Sequence, residues 1–282
     1  MSKQVSDTGR VLGLIAGAGQ FPFHVAREAR RRGRSLVAVG IQGWADPALA
    51  EEVDAYEELA VGQLGRLIER LQAHGVREAI MAGKVAKAVL LDQRHTFDAD
   101  TREVLRQVSD RSVGALLGAI GQRLGGAGIT LLDSSTFLRD ALCPVGPLTA
   151  AGPTTAQRED IAVGLRAARA LAALDVGQTV VVKDRVVVAV EALEGTDAAV
   201  RRAHALAGGG LVVVKTAAPQ QDRRFDLPVI GPDTIATLTA AGVSCLALEA
   251  GTTILLEREA LLASAGEAGI CLVGVTGDDP HP

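Results

Sequence analysis

Two stretches in the second half of the chain gather side chains that could handle a phosphate. In the first, Glu191, Glu194 and Asp197 lie where an apolar, β-branched run passes into a helix that Thr196 would open as N-cap. Carboxylates at such a junction could hold a hard cation such as magnesium, which takes oxygen ligands. Asp197 would equally suit a helix first turn with no metal at all. The second stretch is the polar loop from Pro219 to Pro228, which follows an apolar run ending in Lys215. Lys215, Gln221 and Arg224 could orient and neutralise a diphosphate, and Asp226 could bind a metal or orient water. Loops held by a rigid sheet are where such groups concentrate.

The first half offers backbone rather than carboxylate chemistry. Gly17-Ala18-Gly19, followed by Gln20, sits between an apolar strand and a helix, where N–H groups and the helix dipole favour an anion. Pro22 stands where a dinucleotide fingerprint needs its third glycine, and Gly40-Ile41-Gln42 replaces the acidic residue that would bind a ribose. Gly83 and Lys84 follow a second apolar run, at the carboxyl end where open α/β sheets bind ligands. Gly114, Gly118, Gly121 and Gly125 recur at three- and four-residue steps, which suggests close helix packing.

The elements that must position these groups alternate. VLGLIA, SLVAVGI, a strand near 56–61 and VREAIMAGK are near-continuous apolar runs separated by helical stretches, the pattern of a parallel sheet covered on both faces. After the Pro/Gly-rich CPVGPLTAAGP, a helix leads into TVVVKDRVVVAVEA, which reads as a β-hairpin, and then into further strands and helices. The expected fold is therefore α/β with two α/β domains. The first is Rossmann-like, with a mainly parallel sheet, over 1–142; a Pro/Gly-rich linker spans 143–157; a catalytic domain with a mixed sheet and helices spans 158–282.

Composition narrows the classes. The 282 residues carry 29 Lys and Arg against 33 Asp and Glu, a net charge of −4, which argues against nucleic-acid binding. One Trp, one Tyr and five Phe leave little for base stacking. Three separated cysteines with no CxxC point to a reducing cytoplasm. The polar start does not read as a signal peptide, and the longest uncharged run contains prolines that bar a membrane helix. No P-loop or GxSxG elbow occurs.

Four segments in fixed order carry a family resemblance: GLIAGAGQFP, AGKV at 82–85, VAVEALEGTDAAVRR at 188–202 and VKTAAPQQDRRFDLPVIGPDTI at 214–235. Together they resemble the UDP-2,3-diacylglucosamine pyrophosphatases of the LpxI type, over essentially the full chain. The resemblance implies Mg2+-assisted attack of water on the α-phosphorus of UDP-2,3-diacylglucosamine, giving UMP and 2,3-diacylglucosamine 1-phosphate for lipid A biosynthesis. It implies that Asp226 is the essential aspartate and that Glu191, Glu194 and Asp197 form the acidic motif beside it. It further implies a homodimer, cytoplasmic and peripheral to the inner membrane, in transient contact with the membrane surface that supplies its lipid-linked substrate. Ala218 departs from the family pattern, which commonly has a lysine before the proline, and leaves Lys215 or Arg224 as the cation on the phosphates. The competing classes are a sugar-nucleotide- or dinucleotide-binding transferase or reductase, and a non-catalytic lipid- or nucleotide-binding protein.

Overall fold

The computed structural model describes residues 11–85, 96–108, 113–218, 222–225 and 227–276. By contacts the chain divides into two units. One comprises Met1–Arg139 together with Asp222–Asp226; the other comprises Asp140–Gln221 and Leu227–Pro282.

The first unit is built on a five-stranded sheet of order β3-β2-β1-β4-β5, in which every pairing is parallel. Its strands are β1 (Val11–Ala16), β2 (Ser35–Ile41), β3 (Ala55–Leu59), β4 (Glu78–Ala82) and the short β5 (Thr130–Leu131). The apolar runs are continuous because both faces are covered. On one face Ile15, Val37, Val39 and Ala79 pack with Leu67, Ile68 and Leu71 of α2 (Leu64–Ala73), Val104 of α3 (Ala99–Gln107) and Leu124 of α4 (Val113–Gly126). Helix α1 (Phe21–Arg31) runs alongside β1, β2 and β4 and buries Val25, Ala26 and Ala29. The chain leaves β1 toward β2 and β3, then returns to the far side of β1 as β4. The carboxyl ends of β1 and β4 therefore frame a topological switch point, where open α/β sheets bind ligands.

The second unit carries a mixed six-stranded sheet, β6-β13-β11-β9-β7-β8. Strands β9 (Leu211–Lys215), β11 (Val243–Glu249) and β13 (Cys271–Val275) are parallel. The hairpin β7 (Thr179–Lys183) and β8 (Val186–Val190) joins antiparallel to β9. Its turn is Asp184-Arg185, both at positive φ, as a tight hairpin requires. Helix α5 (Thr155–Ala173), opened by a capping box between Thr154 and Gln157, covers one face. Helices α6 (Thr196–Ala207), α7 (Pro232–Ala240) and α8 (Arg258–Glu267) cover the other. A separate two-stranded pair joins β10 (Val229–Ile230) and β12 (Ile254–Leu255).

The chain is thus α/β with two α/β units, the first on a parallel sheet and the second on a mixed one. Three local expectations change. The Pro/Gly stretch after Leu142 is no free tether: Gly146–Pro147 pairs antiparallel with β13 as β6, Leu148 N–H donates to Leu272 O at 2.9 Å, and Cys143 is buried. Proline is tolerated there because β6 is an edge strand. The N-cap of α6 is Gly195, at φ 83°, and Thr196 is the first helical residue. Finally, Gly114, Gly118 and Gly125 of α4 have no described atom within 4 Å of where a Cβ would sit, and a Cβ on Gly121 would meet Arg224 Nη1 at 3.4 Å and Leu131 Cδ1 at 3.5 Å, so among the described residues the spacing brings no second helix close.

Candidate functional site

At the switch point the two glycine segments lock together. Gly17 N–H donates to Ala82 O at 2.8 Å, Ala18 N–H donates to Lys84 O at 2.8 Å, and Lys84 N–H donates back to Ala18 O at 2.9 Å. A Cβ on Gly17 would lie 2.6 Å from Lys84 O, and one on Gly83, at φ +94°, would lie 2.7 Å from the Gly17 carbonyl carbon. Only glycine permits this approach. The N–H groups of Gly17 and Ala18 are therefore engaged in holding the Gly83–Lys84 turn. Gly19, at φ +93°, has no described atom within 4 Å of where a Cβ would sit, so among the described residues the turn can still meet a ligand there, ahead of Gln20 and α1. Lys84 is exposed at the same edge.

The segment Asp222–Phe225 docks on this same unit. Ser134, 1% exposed, sits just past β5; its N–H donates to Arg223 O at 2.8 Å. Its Oγ lies 3.0 Å from Met81 O and 2.8 Å from Arg224 O, so one hydroxyl proton bridges the end of β4 and the loop. Arg223 Nε donates to Asp133 Oδ2 at 2.8 Å, and Ser135 Oγ donates to Asp133 Oδ1 at 2.6 Å. Phe225 is buried. Arg224 Nε donates to both carboxylate oxygens of Asp222 at 2.9 Å, and its guanidinium lies 5.6 Å from the Phe225 ring centroid. The expected phosphate cation is thus engaged with Asp222 in this state. Asp226 and Gln221 lie outside the described residues. Asp226 follows Phe225 directly, so its loop is tied down one residue away.

The anchoring predicts a pH response. Burial alone would push the Asp133 pKa up, but hydrogen bonds from Ser135 and Arg223 and the Arg223 charge hold it below the ordinary aspartate range. A hydrogen bond from Arg224 likewise lowers Asp222. A carboxylate with a depressed folded pKa stabilises fully above its unfolded value and loses that contribution as pH falls through the folded value. Amide hydrogen exchange at Arg223–Phe225, corrected for intrinsic rate, should therefore accelerate as pH drops below about 4. Unchanged protection from pH 7 to pH 3 would contradict the assignment.

The second unit gathers another set at the carboxyl end of β9. Lys215 Nζ donates to Thr179 Oγ1 at 3.2 Å and to Thr196 Oγ1 at 3.1 Å, and Thr196 Oγ1 donates to Glu191 Oε1 at 3.0 Å. Glu191 Oε2 lies 4.0 Å from Lys215 Nζ. Burial would raise the Glu191 pKa, but the Lys215 charge and hydrogen bonds from Thr179, Thr196 and the Gln178 backbone hold it below the ordinary glutamate range. Glu194 instead turns outward to Arg202, at 2.5 Å, and Asp197 is exposed in the first turn of α6. These three acidic residues do not converge. Among the described residues no three His, Cys, Asp or Glu side chains group so as to hold a metal ion.

Comparison with known proteins places both units in one family. The LpxI N-terminal domain model matches residues 11–141 and the LpxI C-terminal domain model matches residues 144–273. The chain belongs to the LpxI family. It is similar to the UDP-2,3-diacylglucosamine pyrophosphatase LpxI of Caulobacter vibrioides, at 32% identity over 278 residues, covering 94% of this chain and 98% of that relative. Among solved structures, the biotin carboxylase subunit of a pyruvate carboxylase aligns with 60% of this chain and 34% of its own, at 15% identity and a TM-score of 0.25, too low to carry an argument.

In this LpxI-family chain, sequence reasoning missed the residues that hold the polar loop. Asp133, Ser134 and Ser135 follow β5 at a strand's carboxyl end, a signal that was open to reading. Glu249, at the end of β11, fixes the loop's other side: its Oε2 accepts the Ala217 N–H at 2.7 Å, and Arg169 pairs with its Oε1 at 3.4 Å. Of the expected site residues, Gly17, Ala18, Gly19, Gln20, Gly83, Lys84 and Arg224 belong to the first unit. Glu191, Glu194, Thr196, Asp197 and Lys215 belong to the second.

Proposed function

We propose that this chain hydrolyses the diphosphate of UDP-2,3-diacylglucosamine, releasing UMP and 2,3-diacylglucosamine 1-phosphate. The observation that carries the proposal is the near end-to-end match to a relative named for that activity. The switch-point geometry is compatible with it: Gly19 offers open backbone and Lys84 a cation at the edge where a nucleotide phosphate would lie. Asp226, on a loop anchored to that same edge, is assigned as the general base that takes a proton from water. Lys215 with the Thr196 hydroxyl forms a second group suited to phosphoryl oxygens.

The described carboxylates do not fit a resident metal cage. Mg2+ enters this reading as a companion of the substrate's own phosphates, since that ion commonly needs only one or two protein carboxylates. Homodimer formation and peripheral contact with the cytoplasmic membrane surface are part of the same proposal. No helix among the described residues is long and apolar enough to cross a membrane.

The test is incubation of the purified chain with UDP-2,3-diacylglucosamine in detergent micelles and 18O-labelled water, with and without chelator, followed by mass analysis. UMP and the lipid phosphate are the expected products, and chelation is expected to suppress them. Label in UMP fits attack on the α-phosphorus, whereas label in the lipid phosphate moves the attack to the β-phosphorus. Intact substrate after prolonged incubation with Mg2+ or Mn2+ would overturn the proposal.

A further inference from the structure

We infer that Glu191 is a positioning residue, the buried counter-ion that holds Lys215 and Thr196 in place for a phosphoryl group, and not a ligand of a metal ion. The inference rests on the function proposed above and assigns a role inside it.

Three features of the second unit carry it. First, Glu191, Thr196 and Lys215 close a chain of hydrogen bonds. The lysine donates to the threonine oxygen at 3.1 Å, and the threonine donates to Glu191 Oε1 at 3.0 Å. Thr179, at 3.2 Å from the same ammonium, fixes it from the first residue of β7. Second, the carboxylate and the ammonium are withdrawn from water, at 15% and 13% side-chain exposure, with 4.0 Å between Oε2 and Nζ. A divalent ion on Oε2 would stand within a few ångströms of that ammonium, at low dielectric, and be repelled by it. Oε2 is itself buried with no hydrogen-bond partner among the described residues, and Lys215 is the cation paired with it. Third, the backbone under Glu191 is fixed independently. Its N–H donates to Thr179 O at 2.8 Å, and a Cβ on Gly177 would collide with its carbonyl oxygen. The neighbouring carboxylate, Glu194, points away to Arg202, so among the described residues the acidic motif sends no second carboxylate to Glu191.

A double-mutant cycle on the full-length chain tests this, with Glu191→Gln, Lys215→Ala and the pair together. Removing the charged partner should raise KM about 10- to 100-fold, the worth of a hydrogen bond to a charged group. Adding Glu191→Gln to Lys215→Ala should change KM by less than about twofold, because both act through one ammonium. Mn2+ affinity without substrate, read by electron paramagnetic resonance, should be the same in wild type and Glu191→Gln. In 15N-lysine spectra the Lys215 ammonium resonance should broaden or vanish in Glu191→Gln. Additive effects, a loss of Mn2+ affinity, or an unaltered Lys215 resonance would each overturn the inference. If Glu191→Gln does not fold, Thr196→Val removes only the linking hydroxyl and should give the same spectral change. If the wild-type chain fails to hydrolyse the substrate, the proposed function falls, while the resonance and the Mn2+ affinity still decide the role of Glu191.

Discussion

Asp226→Asn is expected to lower hydrolysis of UDP-2,3-diacylglucosamine by about 10²–10⁴-fold, with little change in melting temperature. The substitution keeps shape and hydrogen-bonding capacity while removing the basic oxygen, so a loss of this size reports proton transfer and not packing. Its anchors do not depend on the carboxylate. Ser134 bridges Met81 O and Arg224 O, Arg223 pairs with Asp133, and Phe225 is buried. The loop should therefore keep its place in the variant, and the defect should appear in kcat. Wild-type turnover at saturating Mg2+ would remove Asp226 from the chemistry. Asp133→Ala, which removes the carboxylate that accepts from Arg223 Nε and Ser135 Oγ, should show the complementary behaviour: an intact base on a loosened loop, with hydrogen exchange at Arg223–Phe225 accelerated.

Gly83→Ala should damage stability and activity together. At φ +94° an L-residue costs about 1–2 kcal/mol, and the added methyl would sit 2.7 Å from the Gly17 carbonyl carbon and 2.8 Å from Ala18 O. Both neighbours are backbone, and yielding to the methyl breaks the Ala18–Lys84 pair. A fall of about 4 °C or more in melting temperature follows from the strain alone. Displacement of Lys84 by even about 1 Å should cost about 10²-fold in kcat/KM. Gly19→Ala provides the contrast. It carries the same strain, at φ +93°, but meets no described atom within 4 Å, so it should destabilise less and leave the Gly83–Lys84 turn in place. Equal behaviour of the two variants would show that the close approach is not what matters.

Much of the architecture was legible locally. VLGLIA, SLVAVGI and EAIMA are strands buried on both faces, and a continuous apolar run says so without reference to anything distant. TVVVK and VVVAV pair as the hairpin their β-branched runs and short polar turn imply. The glycine spacing in α4 misled because a period of three or four shows which residues share a helix face, not what that face meets. The Pro/Gly stretch misled for a related reason. Proline excludes a central strand, yet an edge position beside β13 tolerates it, because the outer side of an edge strand needs no N–H donor.

From the amino-acid order alone came the two α/β halves, the glycine turns at strand ends and the polar loop bearing Asp226, because these depend on short-range periodicity and residue type. Folding in three dimensions decided which partners those groups took. Asp222–Phe225 lies in the sequence of the second half but docks on the first, held by Asp133, Ser134 and Ser135, some 90 positions earlier. Glu191 and Glu194, three positions apart, turn to Lys215 and to Arg202. A side chain's type states what it can bind, whereas its direction and burial depend on strands and helices brought together from far along the chain, and those set which charge it answers.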